Sequence, residues 1–276
     1  MNRLIVIEGA TASGKTALAI RWALRLGTEI ISADARQLYN ELNTGVARPS
    51  PQELSAVKHH FIACKSIHNY YSVYQYQQEV LTLLETLFQK YENVILAGGS
   101  GLYVNAVIKG IDEFPDPDPL LRERLKNMPL PELQAQLKLM DENFYNEADL
   151  NNSTRLRRAL EVCYTTGKPY SEQRSGQAQK RPFTVERHVI NIPRKELFER
   201  IEKRVDIMLE QGLEQEAEGL HRYAHLNALQ TVGYRELFEY FDGKISREQA
   251  IENIKTNTRR YAKRQITWLR REGFDI

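Results

Sequence analysis

Nine residues near the start of the chain, Glu8-Gly9-Ala10-Thr11-Ala12-Ser13-Gly14-Lys15-Thr16, have the types and spacing to hold a phosphate. From Gly9 to Thr16 they spell G-x-x-x-x-G-K-T, the phosphate-loop (P-loop) pattern. Its glycines let the backbone turn tightly and approach an anion closely. The loop N–H groups converge on phosphate oxygens, and the helix that follows offers its positive end to the same place. Lys15 adds a mobile positive charge, and the Thr16 hydroxyl can ligate Mg²⁺. Gly9, Ala10, Thr11, Ala12, Ser13, Gly14, Lys15 and Thr16 are therefore the candidates for binding a phosphate or diphosphate. The pattern does not specify ATP.

Other residues point to the same rim. The apolar stretch Glu29-Ile30-Ile31-Ser32-Ala33 reads as a strand that ends at Asp34-Ala35-Arg36-Gln37. A second strand, Val94-Ile95-Leu96-Ala97, ends in the glycine turn Gly98-Gly99-Ser100-Gly101-Leu102-Tyr103. Ligands of open parallel sheets bind beyond the carboxyl ends of the strands, which puts Asp34 and Ser100 beside the P-loop. Arg155 and Arg158 are three residues apart and share a helix face, a spacing suited to a phosphate or to a solvated basic surface. The adjacent His59 and His60 point in different directions on any regular element, which favours packing or substrate contact over a metal site.

These residues need elements to hold them. Leu4-Ile5-Val6-Ile7 is a buried strand, and residues 17–26 form a helix closed by Gly27. Residues 43–70 read as irregular. Val80, Leu83, Leu84, Leu87 and Tyr91 keep a helical period over 74–91. Strands alternating with helices predict an α/β fold, a P-loop NTPase-like doubly wound parallel sheet. The run Phe114-Pro115-Asp116-Pro117-Asp118-Pro119 breaks the pattern. A mostly helical insertion or lid follows over 116–185, between a first core part at 1–115 and a completion at 186–276. In the latter, His188-Val189-Ile190-Asn191-Ile192 reads as a returning strand and the rest as helical.

The chain has 276 residues, 42% hydrophobic and 27% charged, which suits one or two domains with a sizeable core. A net charge of +2 selects no partner, but its distribution does. Residues 255–271 hold seven Lys or Arg and no acid. Lys255, Arg259 and Lys263 recur every four residues as a basic ridge, with Arg260 and Arg264 beside it. Ile254, Tyr261 and Trp268 recur every seven and are expected to face the core. Two cysteines, Cys64 and Cys163, make neither a disulfide framework nor a metal cluster. No signal peptide or membrane-spanning run is present, so a cytoplasmic protein without a membrane partner is expected.

Several chemistries remain open on these residues. A P-loop kinase would carry a Mg²⁺-binding acid at the end of a core strand, yet strand 94–97 ends in Ala-Gly-Gly and Asp34 is the one acid at a clear strand end. A transferase using the loop to hold a diphosphate leaving group fits better. An NTP-dependent RNA-binding protein would account for the basic ridge.

The ordered set of motifs resembles the tRNA dimethylallyltransferases (tRNA isopentenyltransferases) nearly end to end. It comprises the P-loop, Ile30-Ile31-Ser32-Ala33-Asp34-Ala35-Arg36-Gln37-Leu38-Tyr39, the turn at 98–103, Arg155-Leu156-Arg157-Arg158-Ala159-Leu160-Glu161, Val232-Gly233-Tyr234-Arg235-Glu236, and the 258–268 stretch, the most specific of them. The resemblance implies transfer of a dimethylallyl group from dimethylallyl diphosphate to N6 of adenine 37 beside the tRNA anticodon, with Mg²⁺, by a monomer in a bacterial cytoplasm. It implies Asp34 as general base and the Ser100 hydroxyl as an assistant at the diphosphate or at the base. Arg155 and Arg158 would join the P-loop on the diphosphate. The tRNA would be met by Asp34, Ala35, Arg36, Gln37, Ser100, Arg122, Thr154, Arg155, Arg157, Arg158, Arg259 and Lys263. Ala10, Ala35, Val46, Ser100 and Asn152 stand where the family usually has Pro, Ser, Thr, Thr and Asp. Ser100 keeps the hydroxyl, whereas Ala35 and Asn152 remove polar groups near the expected RNA contacts. A transferase acting on free adenine nucleotides is the nearest rival, and the basic C-terminal helix favours RNA.

Overall fold

Strand β1 (Arg3–Gly9) is apolar over most of its length because both of its faces are covered. The computed structural model describes residues 2–116 and 118–276. Pro117, one of the prolines expected to break the pattern, lies outside the described residues. β1 is flanked by β4 (Asn93–Ala97) and β5 (Thr184–Ile190), and β2 (Ile30–Ser32) and β3 (His59–His60) complete a parallel sheet in the order β3-β2-β4-β1-β5. The register sets Leu4 against Val94 and Ile31 against Leu96. Leu4, Val6, Ile31 and Leu96 pack with Val80 and Leu84 of α3 (Val73–Leu87) and with Val104 and Val107 of α4 (Gly101–Lys109). Ile5, Ile7, Ile30 and Ile95 turn to the other face, against Ala19, Ile20 and Ala23 of α1 (Lys15–Leu26). The sheet is thus doubly wound, as expected.

The stretch 43–70 is more ordered than its composition indicates. Ser50 and Glu53 form a reciprocal capping box on α2 (Pro51–Ala56), and the histidine pair forms the edge strand β3. His60 Nε2 lies 2.5 Å from Glu29 Oε2, and His59 Nδ1 lies 2.8 Å from Val57 O. Both rings serve packing at the sheet edge. β5 begins at Thr184, four residues before the expected His188, because it pairs with the whole of β1.

The chain divides into two compact units, Met1–Lys109 with Lys180–Ile276, and Gly110–Gln179. The smaller unit contains α5 (Pro119–Asn127), α6 (Leu130–Met140), α7 (Glu142–Glu147), α8 (Ser153–Thr166) and α9 (Tyr170–Gln173), around Leu125, Leu133, Leu137, Phe144, Leu156 and Leu160. The larger unit ends in α10 (Arg194–Glu210), α11 (Leu213–Leu220), α12 (Tyr234–Phe241) and α13 (Arg247–Arg271). Leu197 and Ile201 of α10 and Ala262 of α13 bury Ala10 of the P-loop between them. Among the described residues no helix is long and apolar enough to cross a membrane.

Leu96 is fully buried in the central strand β4. Leu96→Ala should cost about 2–5 kcal/mol, read as a lower denaturant midpoint with an unchanged slope.

Candidate active site

The P-loop leaves β1 and turns into α1 through Gly14, whose φ of 95° is a left-handed conformation that favours glycine. Lys15 Nζ folds back to donate to Ala10 O at 2.7 Å. Burial of this ammonium lowers its pKa to about 8, opposed chiefly by the charge of Asp34. Two loop amides are already engaged. Thr11 N–H donates to Gln265 Oε1 at 2.7 Å, and Ser13 N–H to Ala10 O at 3.2 Å.

A second cation reaches the loop from α10. Arg204 Nη1 donates to Thr11 Oγ1 at 3.1 Å, and burial pulls the guanidinium pKa down while Asp34 pulls it up. Sequence reasoning missed Arg204. Its signal was position: α10 buries Leu197, Ile201 and Val205, and Arg204 falls three residues after Ile201, on the stripe that should be apolar.

The ends of β1, β2 and β4 meet at this loop. Ala33 N–H donates to Ala97 O (2.8 Å), Gly98 N–H to Ile7 O (3.1 Å) and Ser100 N–H to Ala33 O (3.2 Å). Asp34 Oδ1 accepts the N–H groups of Arg36 (2.9 Å) and Gln37 (3.3 Å), so one carboxylate oxygen is anchored in a turn. Ser100 Oγ accepts the Ala35 N–H at 3.0 Å and lines the same cavity as the Tyr261 phenol. Burial, and then the charge of Asp34, push Tyr261 up to about 12.

Three cavities adjoin Tyr261. A polar one of about 240 Å³ is lined by Lys15, Thr16, Asp34, Glu53 and Arg204. A more apolar one of about 110 Å³ shares Asp34 and Arg204 but is walled by Val46, Val205, Met208, Val232 and Ile254. The third, about 320 Å³, lies among Ala35, Ser100, Tyr103, Arg264 and Trp268. Tyr261 and Trp268, expected in the core, are instead site walls; of the heptad only Ile254 is fully buried. Hard oxygen donors line the polar cavity, namely the Thr16 hydroxyl and the Asp34 and Glu53 carboxylates. This donor set fits Mg²⁺, which is commonly held by one or two carboxylates together with substrate phosphates.

The loop at 43–47 that carries Val46 is held from two sides. The Glu216 carboxylate accepts N–H groups from Asn43 (3.2 Å), Thr44 (2.8 Å) and Gly45 (3.1 Å) as well as the Tyr234 hydroxyl. Gln37 Nε2 donates to Val46 O (3.2 Å) and Ala47 O (3.0 Å), and Arg36 Nη1 to Asn227 O (3.0 Å). Gln37 and Arg36 thus shape the walls as well as lining them.

The basic ridge is in part an interhelical seam. Lys255 pairs with Asp206 at 2.7 Å and Arg259 with Glu202 at 2.5 Å, both acids on α10. Lys263, Arg260 and Arg264 are exposed. In the smaller unit, Arg122 and Arg158 flank the buried carboxylate of Glu161, at 2.9 and 3.1 Å. Thr154 and Arg155 are exposed on α8, Arg157 is half-buried, and Asn152 caps the helix by accepting the Arg155 N–H at 3.1 Å.

A family model described as IPP transferase matches residues 37–272. The chain is 45% identical to tRNA dimethylallyltransferase 2 of Porphyromonas gingivalis, over 99% of this chain and 92% of that one. Its structure resembles the tRNA isopentenylpyrophosphate transferase of Bacillus halodurans, with a TM-score of 0.70 and 33% identity over 98% of this chain and 87% of that one. It also resembles a eukaryotic dimethylallyltransferase described as acting on tRNA, with a TM-score of 0.82 and 25% identity over 98% of this chain and 70% of that one.

Glu216→Ala removes every acceptor that holds residues 43–45 to α11. Amide hydrogen exchange at Thr44 and Gly45 should accelerate by about tenfold or more, while exchange in β1 and β4 stays unchanged.

Proposed function

Because the chain belongs to the IPP transferase family, the tRNA dimethylallyltransferases, we propose that it transfers a dimethylallyl group from dimethylallyl diphosphate to N6 of adenine 37 in the tRNA anticodon loop. The observation that carries this reading is the junction of a cationic cavity and an apolar cavity at one carboxylate, Asp34. The cationic side matches a diphosphate, the apolar side a five-carbon tail, and Asp34 a proton acceptor between them. A tRNA substrate also sets the compartment we propose, the cytoplasm.

Each residue has a task in the transfer. The N6 lone pair attacks C1 of the allyl group, the C1–O bond breaks, and diphosphate leaves with the electron pair. Lys15 and Arg204, together with the P-loop amides not used internally, stabilise the charge that develops on the leaving group. Lys15 must be protonated for this, and an incoming diphosphate raises its lowered pKa. Asp34 accepts the N6 proton as the C–N bond forms. Oδ1 is anchored by two backbone N–H groups, which leaves Oδ2 to face the substrate. Ser100 and Tyr261 orient the turn beside the base. Thr16, with the Glu53 carboxylate, would hold Mg²⁺, which when bound supplies further neutralisation of the diphosphate. The target base must leave its stack to reach the site. The cavity beside Ser100, with Tyr103 and Trp268, is suited to receive it. Exposed Lys263, Arg260 and Arg264 of α13, and Arg155 of α8, are suited to RNA phosphates.

Incubation with dimethylallyl diphosphate, Mg²⁺ and unmodified tRNA should yield N6-dimethylallyladenosine by mass spectrometry, without ATP hydrolysis. ATP turnover stimulated by a small phosphate acceptor, with no prenylated tRNA, would sink this reading. Asp34→Asn should lower the rate by about 10²–10⁴-fold with tRNA affinity nearly unchanged.

The two ridge positions should behave differently. Lys263→Ala should flatten log K for tRNA against log[salt] by roughly one unit. Arg259→Ala, which breaks the pair with Glu202, should flatten it less and lower the melting temperature instead.

A further inference from the structure

Gln265 lies far from every glycine-rich motif in sequence, yet its amide is spent entirely on them. It is 8% exposed. Oε1 accepts the Thr11 N–H at 2.7 Å, and Nε2 donates to Gly99 O at 2.9 Å. The first bond holds the crown of the P-loop, and the second holds the turn that presents Ser100. The contact with the turn is tight: a Cβ at Gly99 would sit 2.3 Å from Gln265 Nε2 and 3.7 Å from Lys15 Nζ. The helix cannot slide away from this position, because its Ala262 and Ile266 pack on Ala10 and Ala12 of the same loop.

We propose that Gln265 is a positioning residue for the transfer reaction, a single amide that sets the spacing between the loop holding the leaving diphosphate and the turn carrying Ser100. The inference rests on the transferase reading above and assigns this residue a role in it. At neutral pH the carboxamide supplies one donor and one acceptor at this separation, which an ionised carboxylate of the same shape does not. A replacement lacking either end leaves the half-buried Thr11 N–H or Gly99 carbonyl without this partner. The reacting atoms belong to substrates held on either side of the clamp, so a small change in its span alters their approach. A displacement of about 1 Å can cost roughly 10²-fold in rate. The Thr11 amide also becomes a fixed part of the scaffold and is withdrawn from the phosphate-binding set.

Two variants test the clamp. Gln265→Leu removes donor and acceptor and should lower kcat by roughly 10²-fold, a larger effect than any change in KM for tRNA, because the amide's two hydrogen bonds go to the loop and the turn. Gln265→Glu keeps the shape. When ionised, the introduced carboxylate has no proton to donate and opposes the Gly99 carbonyl. When protonated, it again offers one donor and one acceptor. Its deficit relative to wild type at the same pH should therefore shrink as the pH falls, whereas the deficit of Gln265→Leu should not. A purely structural role would lower Tm without this pH dependence. Turnover of Gln265→Leu within threefold of wild type, or a pH-independent deficit in Gln265→Glu, overturns the proposal. Hydrogen exchange at the Thr11 amide, measured without substrates, keeps the two readings separate. Protection that is lost in Gln265→Leu supports the clamp even where wild type makes no prenylated tRNA, and protection unchanged by the substitution overturns it.

Discussion

Three backbone hydrogen bonds across the carboxyl ends of β1, β2 and β4 fix the relative positions of everything that could do chemistry. Ala33 is their centre, donating to Ala97 O and accepting from Ser100 N–H, while Gly98 N–H reaches Ile7 O. These bonds join the end of the strand that feeds the P-loop, the strand that ends at Asp34, and the turn that carries Ser100. Backbone bonds between buried strands are the least mobile links a fold has. The side chains around them are adjustments to a spacing that the sheet has already set.

The site encloses two cations, Lys15 and Arg204. Lys15 and Arg204 both have lowered pKa values through burial, and Asp34 is the main acid opposing that shift in each. Burying Lys15 and Arg204 carries a desolvation cost that the Asp34 and Glu53 carboxylates offset only in part. The diphosphate proposed above would add negative charge beside Lys15 and Arg204 and offset more of that cost. The apolar walls built from Val46, Val205, Met208, Val232 and Ile254 carry no charge and suit only the other end of such a ligand.

α10 and α13 do several jobs along one seam. They bury Ala10 of the P-loop, deliver Arg204 and Gln265 to Thr11 from opposite sides, and are tied to each other by the Lys255–Asp206 and Arg259–Glu202 pairs. Half-exposed ion pairs of this kind each contribute modestly to stability, up to about 1 kcal/mol. With Lys255 and Arg259 paired to α10, Lys263, Arg260 and Arg264 are the outward-facing cations in the middle of α13.

What could be read from the sequence alone was whatever is local in the chain. The P-loop, the strand-end position of Asp34, the glycine turn with Ser100 and the doubly wound class each depend on residues a few positions apart, because hydrophobic period and glycine geometry act over short distances. Short elements with little period, α2 and β3, escaped that reading. Neither the capping box of Ser50 and Glu53 nor the pairing of His59 and His60 with β2 follows from a hydrophobic period. Tertiary structure alone decided which distant side chains close the site. Arg204 reaches back 193 positions to Thr11, Gln265 254 positions to Thr11, and Glu216 about 172 positions to Thr44. It also decided that Tyr261 and Trp268 are walls and that Lys255 and Arg259 are paired. A helix pattern shows which residues share a face, but what that face meets depends on how the helices pack against the sheet, and no local spacing encodes that.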